Sequence, residues 1–281
     1  MPQTIRSSRK VDIASVFGIV ISLTGIIGGL YMEGGSVWDI VQPTGALIVM
    51  GGTLGAVLLS TPLETVKRAV KRMLATFHDT AATPEKLIEE IVGYASHARR
   101  KGLVSLEQDA LTIEDRFLRK SLNLAVDGTD IQDLRAMMEL DMNLSEQRYE
   151  TEAKVFESAG GYSPTIGIIG AVLGLIQVMK HLGNTNEVGK GIAVAFVATV
   201  YGVGFANLFC LPIGNKIRAR GQEDMQRKEL MLEGVVSIVE GLNPKLIRSK
   251  LEAFAHSAGS STDSLSRAGE RKNTPLAEVK E

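Results

Sequence analysis

The sequence predicts an all-α integral membrane protein, with four transmembrane helices and a helical cytoplasmic domain inserted between helices 2 and 3. Three observations predict it. Four windows, residues 13–32, 40–63, 158–179 and 191–215, contain no Asp, Glu, Lys or Arg. A charged stretch with helical periodicity separates the second window from the third. Basic residues are unevenly shared among the segments that join the windows. Each window has at least 20 residues, and at about 1.5 Å rise per residue a helix of about 20 residues crosses a hydrocarbon core of about 30 Å.

Composition narrows the function classes. The chain has 281 residues and a formal net charge of -1, which gives no argument for a nucleic-acid partner. Its 29 Gly stand against 5% aromatic residues, a balance that membrane helices tolerate better than soluble ones. A single Cys210 excludes an internal disulfide and a Cys-rich metal site. The His residues show no ligand spacing, and no catalytic triad or phosphate-binding Gly loop is present. The expectation is a protein that is not an enzyme and carries no metal and no cofactor.

Residues 1–12 form the expected cytoplasmic N-terminus, with Arg6, Arg9 and Lys10. The apolar stretch that follows is too long for a signal-peptide core and no A-x-A site follows it, so it reads as a retained helix. Helices 1 and 2 fall within 13–60, as Ile13–Leu30 and Val41–Leu59. Lys67, Arg68, Lys71 and Arg72 follow helix 2, and Lys216, Arg218 and Arg220 follow helix 4, whereas Tyr31–Asp39 has no Lys or Arg. The excess of basic residues marks the cytoplasmic side, which places both termini and the long middle segment inside.

Residues 61–157 read as a cytoplasmic helical domain. Thr83-Pro84-Glu85 is a helix start, with a cap, a Pro at the first helical position and an early acid. Leu87, Ile88, Ile91, Val92 and Ala95 keep helical spacing until Gly102. Ser105-Leu106-Glu107-Gln108 has the form of a capping box. A further helix begins near Asp130 with Ile131, Leu134, Met137, Met138 and Leu144, and can run on into helix 3. Helices 3 and 4 occupy 158–215, as Tyr162–Met179 and Gly191–Ile213. Residues 216–255 continue as cytoplasmic C-terminal helices, the last starting at Asn243-Pro244. The tail 256–281 is rich in Ser, Gly and charge, buries too little to offset its ordering entropy, and is expected to be disordered.

Gly25/Gly29, Gly51/Gly55 and Gly170/Gly174 are G-x-x-x-G pairs, which let helix backbones approach closely, within this chain or across to another. No span carries a carboxylate, Lys, Arg or His. An ion relay through lipid normally needs an ionisable group, so either the chain conducts nothing or a partner supplies the carboxylate.

Three separated motifs carry a resemblance. Gly161 through Ile176 (GYSPTIGIIGAVLGLI), Gly191 through Asn207 (GIAVAFVATVYGVGFAN) and Arg99 through Glu107 (RRKGLVSLE) resemble, in that order, the third helix, the fourth helix and the cytoplasmic torque motif of the flagellar stator A subunits, the MotA/PomA family, over roughly residues 10–255. The resemblance implies five A subunits around two MotB-like, single-span B subunits. Each B subunit supplies a membrane Asp, so that proton flow turns the A ring against a FliG-like rotor switch protein. It implies a multi-pass protein of the bacterial inner membrane, surrounded by lipid. Pro164 and Pro212 match the family's two functional prolines, and Thr199 matches a pore-facing Thr. On the residues alone these are helix boundaries and a hydroxyl bonded within its own helix.

Sodium-type relatives carry Thr where this chain has Ala171 and Ala198, so the resemblance implies H⁺ rather than Na⁺. Arg99, Arg100 and Glu107 match the charges that contact the rotor. On the residues alone they are solvated helix ends, each contributing about 0.3–1 kcal/mol through the helix dipole. The related ExbB/TolQ energy-transducing channels, which have three spans and an external N-terminus, are the nearest rival. A non-conducting membrane scaffold is the other.

Overall fold

The computed structural model describes residues 10–11, 13–79 and 83–256. The residues from 257 on, where the sequence predicts disorder, lie outside the described residues; His256 closes the last helix. Apart from an antiparallel pair of two-residue strands, β1 (Lys10–Val11) and β2 (His78–Asp79), the described elements are helical.

α1 (Ile13–Met32) is a 20-residue helix without a charged residue. A 3₁₀ turn, Val37–Ile40, capped by Ser36 and Asp39, leads to α2 (Pro43–Ser60), which starts with Pro at its first position. α3 (Leu63–Thr76) carries the basic cluster predicted after helix 2. α4 (Pro84–Lys101) begins where the sequence places it, but the Thr83 side chain makes no capping bond. Pro84 and Glu85 therefore carry the start signal. α4 ends at Gly102, whose φ of 88° suits glycine and whose N–H donates to the Ala98 carbonyl.

The expected capping box at Ser105 does not form. The chain passes from Gly102 directly into a 3₁₀ turn, Leu103–Ser105, so Ser105 already has helical φ and ψ (-64°, -17°). Its hydroxyl donates back to the Gly102 carbonyl at 2.6 Å. α5 (Leu106–Ala110) follows, then α6 (Arg116–Val126), capped by Asp115, whose carboxylate accepts from the Phe117 and Leu118 N–H groups. The helix predicted near Asp130 does run into the third membrane segment, as the 50-residue α7 (Ile131–Lys180). α8 (Thr185–Phe205), a π turn (Ala206–Cys210), α9 (Leu211–Val239) and α10 (residues 244–256) complete the chain.

Among the described residues, three helical runs are long and apolar enough to cross a membrane: Pro43–Ser60, Ile131–Lys180 and Thr185–Val239. Phe17–Met32 is a shorter apolar helix.

Two compact units result. Among the described residues, one comprises 83–145 and 222–256. Its core is built of large side chains, among them Ile91, Leu106, Leu118, Leu122, Leu134, Met138, Met231 and Leu251, all under 2% exposed. Each such side chain contributes roughly 1.5–3 kcal/mol by burial. Around this core run ion pairs. Glu233 accepts from Arg135 at 3.1 Å and also pairs with Lys250. Burial raises the Glu233 pKa, but hydrogen bonds from these two cations hold it below the usual value.

The other unit comprises the described residues of 10–79 together with 146–221. Here α7 meets α8 through glycine. A methyl built on Gly167 would stand 2.9 Å from the Ala198 carbonyl oxygen, one on Gly174 2.8 Å from that of Gly191, and one on Gly202 2.6 Å from that of Ser163. The Ser163 hydroxyl donates to the Gly202 carbonyl at 3.0 Å across the same seam. α2 packs alongside, with Gly45 against Ala198 and Ile48 against Gly170. The Tyr201 hydroxyl donates to the Ile40 carbonyl and accepts from the Gln42 N–H, fixing the start of α2 on α8. Of the predicted G-x-x-x-G pairs, Gly170/Gly174 packs within the chain, while Gly25/Gly29 and Gly51/Gly55 face open space.

Beyond the apolar stretch, Arg72 holds the buried Glu152 at 2.7 Å and lies 4.1 Å over the Tyr149 ring. Arg218 bridges Glu150 at 2.9 Å and Glu157 at 2.7 Å.

Candidate functional site

The membrane-type unit brings three of the predicted residues onto one flank. Pro164 and Ala171 lie seven residues apart on α7, so they share a face beside the Gly167/Gly174 seam. Ile166 and Gly170, on the other side of that seam, are the residues that meet α2. Thr199 of α8 lies next to Gly167, its Cα 3.4 Å from a methyl built there. Pro164, Ala171 and Thr199 are each half-buried, which leaves this flank accessible in the isolated chain. The Thr199 hydroxyl donates to the Ala195 carbonyl at 3.2 Å. That is the bond within its own helix expected from the residues alone; the oxygen keeps its acceptor capacity toward the flank.

Ala198, the other position that the resemblance links to ion choice, is fully buried against Gly45, Gly167 and Gly170. Its methyl fills a helix contact and does not face the flank.

Pro164 sits inside α7. It removes one backbone donor, so the Gly160 carbonyl loses its i+4 partner. Pro212 acts on its surroundings differently. It lies in the first turn of α9, directly after the π turn Ala206–Cys210. The ring of Pro212 would crowd the carbonyl four residues earlier, and the widened i+5 turn makes room without ending the helix. On the residues alone Pro212 reads as a helix boundary, but the helix continues through it after the π turn, which the sequence does not announce.

The second predicted site lies in the other unit. Arg99 and Arg100 are exposed in the last turn of α4, and Glu107 is exposed in the first turn of α5, as the sequence implies. His97 pairs with Asp109 and so ties the end of α4 to α5. A groove lined by Val92, Ser96, Arg99, Arg100, Asn243, Pro244, Lys245 and Arg248 joins α4 to α10. Arg248 grips Glu89 through both guanidinium nitrogens, one at 2.7 Å, which pulls the glutamate pKa down. Arg100 Nε donates to the Ser96 carbonyl at 3.1 Å. Glu107 stands outside the groove lining.

Lys245 and Arg248 line this groove beside Arg99 and Arg100, and sequence reasoning missed them. Their signal is weak: two basic residues three apart on the last helix, some 145 positions from Arg99. Among the described residues no group of three or more His, Cys, Asp or Glu side chains could hold a metal ion.

Comparison with known proteins decides the family. Residues 109–230 match the MotA/TolQ/ExbB proton channel family, and residues 16–101 match the N-terminal region of motility protein A. Motility protein A of Bacillus subtilis is 34% identical over 242 residues, which cover 86% of this chain and 90% of that protein. The chain belongs to the motility protein A family.

Solved structures agree with this. C. jejuni MotAB superposes with a TM-score of 0.82 at 32% identity, covering 86% of this chain and 95% of that one. The flagellar MotAB stator complex of Bacillus subtilis gives 0.80 at 34% identity, covering 85% and 94%. The chain is therefore a flagellar stator subunit of a proton channel family and a multi-pass protein of the bacterial inner membrane.

Proposed function

We propose that this stator subunit crosses the membrane four times, keeps both termini in the cytoplasm, and forms a proton-driven complex with a single-span B subunit. α1 supplies the fourth crossing: it is 20 residues long and free of charge, and its side chains from Phe17 onward are largely exposed in the isolated chain. The segments 61–157 and 216–255 then lie in the cytoplasm, in keeping with the basic residues that follow α2 and the π turn. Five copies surround two B subunits, as the family implies, with lipid against the outward apolar faces of α1 and α2.

The observation that carries the reading is the half-open flank bearing Pro164, Ala171 and Thr199. It is shaped by small residues and lacks an ionisable side chain, so it suits a partner helix that brings its own carboxylate. The Thr199 hydroxyl can accept from that acid when it is protonated, and Pro164 and Pro212 mark where the two helices yield. Ala171 in place of a hydroxyl leaves too few oxygen ligands for Na⁺ and favours H⁺. In the cytoplasm, Arg99, Arg100 and Glu107, joined by Lys245 and Arg248, form the charged surface that meets the rotor.

Swimming cells test both halves. A protonophore is expected to stop swimming, and removal of sodium is expected to leave it unchanged. Arg99→Glu is expected to reduce torque strongly at unchanged complex level, with a loss that depends on ionic strength, because exposed charges are screened within about 8 Å. Sodium-dependent swimming that resists the protonophore removes the proton assignment. An external N-terminus, read by a reporter fused to residue 1, removes the four-span topology in favour of an ExbB/TolQ-type one.

A further inference from the structure

Among the described residues, the membrane-type unit contains one buried hydroxyl without a hydrogen-bond partner. Thr residues in helices normally donate to a carbonyl of the preceding turn. Thr76, Thr151 and Thr199 do so, at 2.8, 2.7 and 3.2 Å. Thr53 of α2 does not. It is 3% exposed, and its Oγ1 has no hydrogen-bond partner among the described residues. A buried unpaired hydroxyl is destabilising.

The α2–α7 contacts place Thr53 along α7. Ile48 meets Gly170, Gly52 meets Ile166, and Val57 packs with Ala159 and Val155. The two helices run antiparallel in register, so Thr53 falls between the Ile166 and Ala159 levels, where Ser163 is the fully buried hydroxyl of α7. Ser163 donates to Gly202 and keeps its acceptor lone pairs free. It is also the residue immediately before Pro164.

We infer that Thr53 is a positioning residue for ion-driven movement: its hydroxyl is unpaired in the state described and donates to Ser163 Oγ in a second arrangement of α2 and α7 about Pro164. A hydroxyl that is unpaired in one state and paired in another favours the second, and so biases the α7 hinge. Its place at the Pro164 level, inside the α2–α7–α8 contact, is where such a bias acts. This rests on the reading of Pro164 as a moving element of a proton-driven stator.

The test uses the complex of the full chain with its B subunit, measuring proton flux in proteoliposomes and the melting temperature of the purified complex. Thr53→Val keeps the shape and removes the hydroxyl. Flux is expected to fall about fivefold, the rate equivalent of one lost hydrogen bond. The melting temperature is expected to stay level or rise, because the resting state loses an unsatisfied group. Thr53→Ser restores flux, and Thr53→Val lowers flux no further when added to Ser163→Ala. Native flux in Thr53→Val overturns the inference, as does a flux loss accompanied by a lower melting temperature, which marks simple packing. Failure of Thr53→Ser to restore flux also overturns it. A native complex that conducts no protons removes the stator reading itself, and this inference with it.

Discussion

The two units are held together by opposite means. The unit built from residues 83–145 and 222–256 fills its interior with Leu, Ile and Met side chains and surrounds them with ion pairs. The unit built from the described residues of 10–79 and from 146–221 brings backbones together by leaving side chains out, at Gly167, Gly174, Gly191 and Gly202. The difference follows from the solvent. In water, burial of large apolar groups drives packing. In lipid the tails are as apolar as Leu, so close van der Waals contact and hydrogen bonds between helices must supply the attraction. One unit should therefore be sensitive to removing atoms, and the other to adding them.

The largest effect is expected from removal. Leu122, fully buried in α6, leaves a cavity when cut to Ala, and the unit should lose about 2–5 kcal/mol, read by chemical denaturation of the purified complex. Next comes the charged rim. Glu233 has its pKa lowered in the folded chain, so its contribution is present above the ordinary glutamate value of about 4.3 and is lost as the pH falls through the lower folded value. Glu233→Gln should therefore destabilise by about 1.5–3 kcal/mol at neutral pH, and the difference from the native chain should vanish in acid below that window.

Addition gives the third effect. A single methyl at Gly202 meets the Ser163 carbonyl oxygen and the Gly167 backbone, neither of which can step aside, so Gly202→Ala should cost about 1–3 kcal/mol and weaken assembly. The same methyl at Gly25 meets nothing within 4 Å in the chain, and Gly25→Ala should leave the isolated subunit's stability unchanged. If Gly25→Ala instead disrupts the assembled complex, that glycine packs between chains, and the contrast extends to the oligomer.

How much of this was legible in the sequence follows from the range of each signal. The three helical runs of membrane length were, because absence of charge over a helix length is written in consecutive residues. The start of α4 at Pro84 and the long run of α7 were legible for the same local reason. The capping box at Ser105 misled because its pattern is local while its outcome depended on the glycine turn just before it. The Asp115 cap was open to sequence reading but was not singled out. The groove was not legible at all: Arg99 and Lys245 meet only because α4 and α10 pack together, and no spacing rule links positions so far apart. The seam between α7 and α8 was half legible. G-x-x-x-G pairs announce close packing, yet the pattern cannot say that Gly170 and Gly174 pair inside the chain while Gly51 and Gly55 do not.

The π turn at Ala206–Cys210 has a consequence for how the chain can change in length. In a continuous α-helix, deleting a residue turns everything beyond it by about 100° and moves each face away from its partners. A π turn stores one residue more than the α ladder needs. Removing a residue between 206 and 210 would close the ladder and leave the phase of the helix before and after it intact. Of the described run from Thr185 to Val239, this is the stretch where a one-residue deletion keeps the phase of the helix, although it would bring the Pro212 ring back against the carbonyl four residues earlier.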